Sequence, residues 1–180
     1  TLYKNHPSLK ANIPIDDILK DTIEVENVRF FYDNLHLEGL NYGPSFQTVK
    51  ILRQGSGCSS GFVSIKNYHE DESYFVHPAL LDGAMHVMIA ALPKNFQREG
   101  SVFLPSEIEF VEYSGVISGE MWIRSEIKEI TEQSIYSDLL ICDEGGQVIL
   151  RIMGLKCQKI PRKINKDIQE VEEFLYRPVY

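Results

Sequence analysis

The spacing of apolar residues predicts a short amphipathic helix early in the chain. Val28, Phe31, Tyr32 and Leu35 recur at intervals of three and four residues, which places them on one face of a helix. Gly39 follows at the position where helices commonly end in glycine. We therefore expect this helix to pack its apolar face on the body of the protein.

A second helix is predicted from Pro78 to Leu92. Proline fits the first turn of a helix because its missing N–H would have no partner there, and Pro93 ends the apolar pattern. Apolar residues and small alanines occupy most of the circumference of this helix. A helix of this kind is buried, so we expect a sheet to wrap around it.

Strand-like runs supply that sheet. They cover residues 46–54, 61–66, 107–113, 120–130, 134–142 and 148–157. The glycine- and serine-rich segment 55–60 predicts one hairpin, and the reversal Asp143-Glu144-Gly145-Gly146 predicts another. One buried helix within about five or six antiparallel strands is an α+β arrangement and resembles the hot-dog fold.

Composition narrows the classes of partner. The formal net charge of −8 disfavours binding to nucleic acid or to an anionic membrane surface. The longest apolar run, 87–92, is far below the roughly 20 residues that a membrane-spanning helix requires. Three cysteines without CxxC spacing, among them Cys58 in a polar turn where it could be exposed, favour a reducing cytoplasm.

Asp82 and His86 are the strongest candidates for catalysis. Four residues apart on the second helix, they share one face, and the predicted helix places Asp82 in its first turn. The helix N-terminus favours an ionised carboxylate, whereas the apolar neighbours Leu80, Leu81 and Met85 favour a neutral acid that can donate a proton. The alternative is that Asp82 caps the helix and His86 is a core histidine.

A turn ahead of the first strand is the second candidate site. Gly43-Pro44 fixes this turn and places Tyr42 and Phe46 as aromatic walls, with a hydroxyl group on Tyr42. The same residues are also compatible with a purely structural connection that carries two core aromatics. His69 with Glu70, Asp71 and Glu72 is interpreted as a solvated loop, so no metal site is predicted.

Three ordered motifs resemble one known family. They are Phe31-Tyr32-Asp33-Asn34-Leu35 running into Gly39-Leu40-Asn41-Tyr42-Gly43-Pro44-Ser45-Phe46-Gln47, then His77-Pro78-Ala79-Leu80-Leu81-Asp82-Gly83-Ala84-Met85-His86, then Leu104-Pro105. Together they are similar to the dehydratase domain of modular polyketide synthases, and the ending from Phe174 to Tyr180 also resembles the sequence that leaves such domains.

The resemblance implies a function and roles for these residues. Family members fold as a double hot dog and remove water from a β-hydroxyacyl group held on the phosphopantetheine arm of acyl carrier protein. Asp82 would protonate the departing hydroxyl, and His86 would orient that carboxyl group. The substrate would be lined by Tyr42, Gly43, Pro44, Phe46, His77, Pro78 and Leu81. The resemblance implies no metal or redox cofactor, because the pantetheine arrives with the substrate.

One element of the family pattern is missing. The family's catalytic base is a histidine in an H-x-x-x-G-x-x-x-x-P motif, and none of the five histidines fits it. The chain therefore resembles only the C-terminal half of the double hot dog, and we expect it to be inactive, or nearly so, without the histidine-bearing half. The alternative is a non-catalytic scaffold, docking or branching module of a polyketide assembly line.

The expected organisation follows from this assignment. Residues 1–26 are interpreted as a linker from a preceding hot-dog half, residues 27–158 as the dehydratase-like domain, and residues 159–180 as an exit linker. Expected partners are acyl carrier protein, neighbouring polyketide synthase domains, and either the missing half or a second copy of this chain, because a single hot-dog sheet leaves an exposed edge.

Overall fold

A computed structural model describes residues 11–65, 76–93, 96, 101–114 and 119–161. Within these residues, three helices and seven strands follow in the order α1 (Ile15–Leu19), β1 (Ile23–Glu24), α2 (Val28–Leu37), β2 (Val49–Gln54), β3 (Cys58–Ser64), α3 (Pro78–Ala90), β4 (Ser101–Tyr113), β5 (Glu120–Ile130), β6 (Ser134–Cys142) and β7 (Val148–Pro161). None of the helices within these residues is long and apolar enough to cross a membrane.

All seven strands form one antiparallel sheet in the order β1-β2-β3-β5-β6-β7-β4. Helix α3 lies against its central strands, with contacts to β2, β3, β5 and β6. Leu80, Ala84 and Val87 of this helix are fully buried. The predicted α+β hot-dog fold, a buried helix wrapped by an antiparallel sheet, is therefore confirmed.

Close packing between α3 and β3 depends on two glycines. A Cβ atom on Gly83 of α3 would lie 2.8 Å from Cγ1 of Val63 and would also collide with the Thr48 hydroxyl. A Cβ on Gly61 of β3 would lie 2.7 Å from Cγ2 of Val87. The helix therefore approaches the sheet at a distance that larger residues at these two positions would not permit.

Both predicted hairpins are present, with shifted boundaries. Residues 55–57 connect β2 to β3, and Gly57 in this turn has a φ of +70°. Strand β2 begins at Val49 rather than at the predicted Phe46. Cys58 therefore belongs to β3 and is buried, contrary to the expectation of an exposed turn. Between β6 and β7, the Asp143 carboxylate accepts hydrogen bonds from the amides of Gly145 and Gln147, which stabilises the predicted reversal.

Described elements also lie on both sides of residues 27–158, the range expected for the dehydratase-like domain. Helix α1 and strand β1 precede residue 27; Ile18 of α1 is 1% exposed, and the amide of Ile13 donates to the carbonyl of Gly146 at 2.8 Å. At the other end, β7 continues through Pro161 and pairs with β4. These short segments showed no sustained periodicity, because tertiary contacts rather than a repeating pattern hold them.

Candidate active site

Helix α3 brings Asp82 and His86 together, as their spacing predicts. Nε2 of His86 lies 3.2 Å from Oδ2 of Asp82. His86 is fully buried, whereas the Asp82 side chain is 33% exposed. Oδ2 itself is buried, and the two atoms are close without the alignment of a full hydrogen bond. The carboxyl group therefore turns one oxygen towards the imidazole and leaves Oδ1 as the oxygen that can reach open space.

Asp82 does not lie in the first turn of α3, contrary to the expectation from sequence. It is the fifth residue of the helix, which begins at Pro78. His77 occupies the cap position instead, and its Nδ1 accepts a hydrogen bond from the amide of Ala79 at 3.2 Å. The helix-end effect on Asp82 is consequently weaker than expected, since it falls off within the first turn. His77 therefore caps the helix, which is the role that the alternative interpretation of the sequence gave to Asp82.

Two tyrosines and a phenylalanine surround the His86 ring. The ring centroid of Tyr42 lies 4.2 Å from that of His86, and the rings of Tyr32 and Phe31 approach at 5.4 and 6.4 Å. All three contacts are edge-to-face, a favourable arrangement for aromatic pairs. The predicted site residue Tyr42 thus touches the imidazole directly.

Tyr32 is a site residue that the sequence did not single out. Its hydroxyl lies 3.3 Å from Nδ1 of His86, and it accepts a hydrogen bond from the amide of Val49 at 3.2 Å. Burial raises the pKa of Tyr32 to about 12, so the phenol keeps its proton. Tyr32 belongs to the apolar stripe of α2 and to the first of the three motifs, but neither signal distinguishes a polar contact from core packing.

A narrow cavity of about 90 Å³ opens beside Asp82. Its described lining consists of Leu40, Tyr42, Asp82, Met85, Met88, Ile89, Leu92, Phe103, Leu104, Pro105, Ile135 and Cys157. Apart from the carboxyl of Asp82, the hydroxyl of Tyr42 and the thiol of Cys157, these side chains are apolar. Burial raises the pKa of Cys157 to about 11, so its thiol is a poor nucleophile near neutral pH. The cavity therefore suits an aliphatic group placed against a carboxylic acid.

Leu104 and Pro105 line this cavity and lie within β4, which begins earlier than predicted. The strand starts at Ser101 rather than at Glu107, and a register shift between Pro105 and Glu107 accommodates the proline. The motif thus lies within the strand and not in front of it. This places the third sequence motif beside the second, although 22 residues separate Asp82 from Leu104 in the chain.

The remaining predicted site residues are more dispersed. Gly43 lines a second, more open and polar groove of about 830 Å³ that also contains Tyr32 and Tyr42. Pro44 and Phe46 are exposed on the turn, where the amide of Phe46 donates to the carbonyl of Gly43. His77 caps α3, Pro78 and Leu81 lie on its first turn, and none of the three is among the described residues that line either space. Their roles in substrate binding remain predictions.

No group of three or more metal-ligating side chains is clustered among the described residues. The sequence 69–72, interpreted above as a solvated loop, lies outside those residues.

The polyketide synthase dehydratase N-terminal domain family matches residues 17–167. The chain belongs to this family. The match includes α2, the turn with Tyr42, all of α3 and the sheet, so the three motifs and the cavity lie within a dehydratase fold. The family description refers to an N-terminal domain, so it does not establish the predicted C-terminal half.

Relatives and solved structures agree with this membership. The highly reducing polyketide synthase sphB of Aspergillus fumigatus is 29% identical over 132 residues, which are 72% of this chain and 5% of that protein. Two dehydratase structures share the fold: a CurJ mutant at 18% identity with a TM-score of 0.74, and a CurK mutant at 24% identity with a TM-score of 0.71. Each match covers 84% of this chain and just over half of the dehydratase, 53% for CurJ and 54% for CurK.

Proposed function

We propose that this chain supplies the acidic half of a dehydratase active site that removes water from a β-hydroxyacyl group on acyl carrier protein. The observation that carries the proposal is a carboxylic acid with one oxygen against a buried imidazole, at the edge of an apolar cavity. Two structural neighbours are described as inactive dehydratase mutants, one with histidine replaced by phenylalanine and one with aspartate replaced by asparagine. The activity of CurJ thus depends on that histidine and the activity of CurK on that aspartate.

Asp82 acts as the general acid in this proposal. A base from outside the chain removes the proton next to the thioester carbonyl, and those electrons form the new double bond. The bond between the β-carbon and the hydroxyl oxygen breaks, and the proton of Asp82 passes to that oxygen to give water. Asp82 is left as a carboxylate beside His86, which stabilises the developing charge.

The missing base requires a second half of the active site. The family-type histidine motif is absent from the sequence, and the chain spans about half of the two dehydratases it matches in structure. Strand β4 and its neighbour β7 carry large exposed apolar side chains, namely Leu104, Ile108, Val111, Met153 and Ile160. We propose that the histidine-bearing half covers this apolar edge, which also places its base near the cavity.

Replacing Asp82 by asparagine tests the proposal. The substrate is a β-hydroxyacyl thioester on acyl carrier protein, and the assay measures loss of water with the histidine-bearing half present. We expect the rate to fall by about 10²- to 10⁴-fold, as is usual for loss of a general acid. Asp17→Asn on the exposed face of α1 is the matched control and should retain full activity. Full activity of the Asp82 variant would refute the proposal.

A non-catalytic scaffold is the second candidate, and the absent histidine motif favours it. The same assay separates the two functions. A scaffold would produce no dehydration in any combination, and Asp82→Asn would leave assembly with neighbouring polyketide synthase domains unchanged.

A further inference from the structure

The hydroxyl of Tyr32 contacts both a backbone amide and the ring of His86. Its oxygen accepts a hydrogen bond from the amide of Val49 at 3.2 Å and lies 3.3 Å from Nδ1 of His86. The opposite nitrogen of the ring, Nε2, lies 3.2 Å from Oδ2 of Asp82. A buried chain of polar groups therefore runs from the start of β2, through two side chains, to the candidate acid.

The number of hydrogens in this chain determines their positions. The Val49 amide can only donate, so it uses a lone pair of the phenol oxygen. Burial raises the pKa of Tyr32 to about 12, which leaves a single hydrogen on that oxygen. The side-chain atom within reach of that hydrogen is Nδ1 of His86, which accepts when it carries no hydrogen of its own. A neutral imidazole carries one hydrogen, and if Nδ1 accepts, that hydrogen is on Nε2.

We propose that Tyr32 is a positioning residue that holds His86 as the Nε2-protonated tautomer, so that the ring presents its hydrogen to Oδ2 of Asp82. This inference rests on the proposed function only for its catalytic consequence. With Oδ2 occupied as an acceptor, the transferable proton of the carboxylic acid is carried on Oδ1, the oxygen that can face the cavity. Tyr32 thereby determines which oxygen of the acid is active, although it is not among the described residues that line the cavity beside Asp82.

The surrounding rings support a fixed orientation of the imidazole. Tyr42 and Phe31 enclose it by edge contacts, and the ring is fully buried. Both ring nitrogens already face polar partners, so a flipped ring would point carbon atoms at the Tyr32 hydroxyl and at Asp82. Such a flip would remove the contact between the Tyr32 hydroxyl and Nδ1 and would move Nε2 away from Oδ2, and loss of a buried hydrogen-bond partner is unfavourable.

Nitrogen NMR of the unmodified protein is the direct test. Protein with ¹⁵N-labelled histidine is measured without substrate near neutral pH, and the His86 signals are assigned as those lost in His86→Gln. We expect the protonated-nitrogen shift at Nε2 and the bare-nitrogen shift at Nδ1. The reverse assignment, or two protonated nitrogens, would overturn the proposal. The tautomer is read from the unmodified protein, with His86→Gln used only for assignment, and the measurement needs no activity.

Tyr32→Phe provides the second readout. Without the phenol hydrogen, Nδ1 loses its donor, so we expect the Nδ1-protonated form to appear. Tyr136→Phe, on β6 beside Lys156, is the control and should leave the tautomer unchanged. An unchanged tautomer in Tyr32→Phe would refute the role of Tyr32.

Kinetics distinguish this inference from the proposed function. In the dehydration assay, Tyr32→Phe should lower kcat by about two- to fivefold with little change in KM, consistent with loss of one neutral hydrogen bond. A change of the same size in KM, with kcat unchanged, would contradict the role of Tyr32 in positioning the acid. If the unmodified protein produces no dehydration at all, the proposed function fails, whereas the tautomer measurement still decides the inference.

Discussion

Replacing His86 by glutamine or by asparagine separates the contributions of the two ring nitrogens. The amide of glutamine extends to about the place of Nε2 and can still donate to Asp82. The shorter asparagine reaches only the place of Nδ1, so it can accept from Tyr32 and leaves Oδ2 of Asp82 without a donor. Both variants are polar and smaller than or similar to histidine, so they form a matched pair.

The expected difference follows from the charge that develops on Asp82. A hydrogen bond to a charged group contributes about 1.5–3 kcal/mol, whereas one to a neutral group contributes about 0.5–1.5 kcal/mol. Asp82 is 33% exposed and its contact with Nε2 is poorly aligned, so the lower values apply. Under the proposed function, the donor therefore stabilises the transition state more than the ground state by about 1 kcal/mol, which is about a fivefold effect on kcat.

The assay is dehydration of a carrier-bound β-hydroxyacyl thioester at saturating substrate, with thermal unfolding measured in parallel. We expect His86→Asn to be about fivefold slower in kcat than His86→Gln. Equal kcat values in two variants that both fold would refute the conclusion that Nε2 supports the acid.

Three further predictions concern the body of the fold. Gly83→Ala should lower the melting temperature, because overpacking against Val63 costs about 1–3 kcal/mol and exceeds the roughly 1 kcal/mol gained in helix propensity; Gly145→Ala, whose Cβ meets only ordinary contacts, is the control. Because burial raises the pKa of Tyr32 to about 12, the folded state holds its proton longer than the unfolded state, so stability should fall between about pH 10 and pH 12; Tyr32→Phe should reduce that slope in alkaline unfolding. Cys157, with a pKa raised to about 11, should resist alkylation near neutral pH until the protein is unfolded, and rapid labelling of the folded protein would contradict its burial.

Much of the fold could be predicted from sequence because most elements are long and periodic. The bounds predicted for β5 and β6 agree with the structure, and α3 ends only two residues before the predicted Leu92. Strand β4 was predicted too short because Pro105 is a poor strand residue. On an edge strand with a register shift, however, proline is tolerated.

Only part of the candidate site could be predicted from the sequence. Asp82 and His86 lie four residues apart on one helix, so local geometry predicts their contact. Tyr32 lies 54 residues before His86, and nothing local connects them. Helix spacing identifies the buried face of α2, but it does not reveal which polar atom on that face finds a partner, because tertiary packing decides that contact.

The unequal surroundings of the two Asp82 oxygens have a consequence for repeated turnover. A general acid that donates its proton in each catalytic cycle must take up another proton before the next cycle. Oδ2 is buried against His86, whereas Oδ1 is the oxygen that can face the cavity, so under the proposed function the new hydrogen is taken up at Oδ1. Replenishment then comes from water at the cavity mouth, and water enters once the unsaturated product has departed. Under the proposed function, resetting the acid and emptying the cavity are therefore a single event.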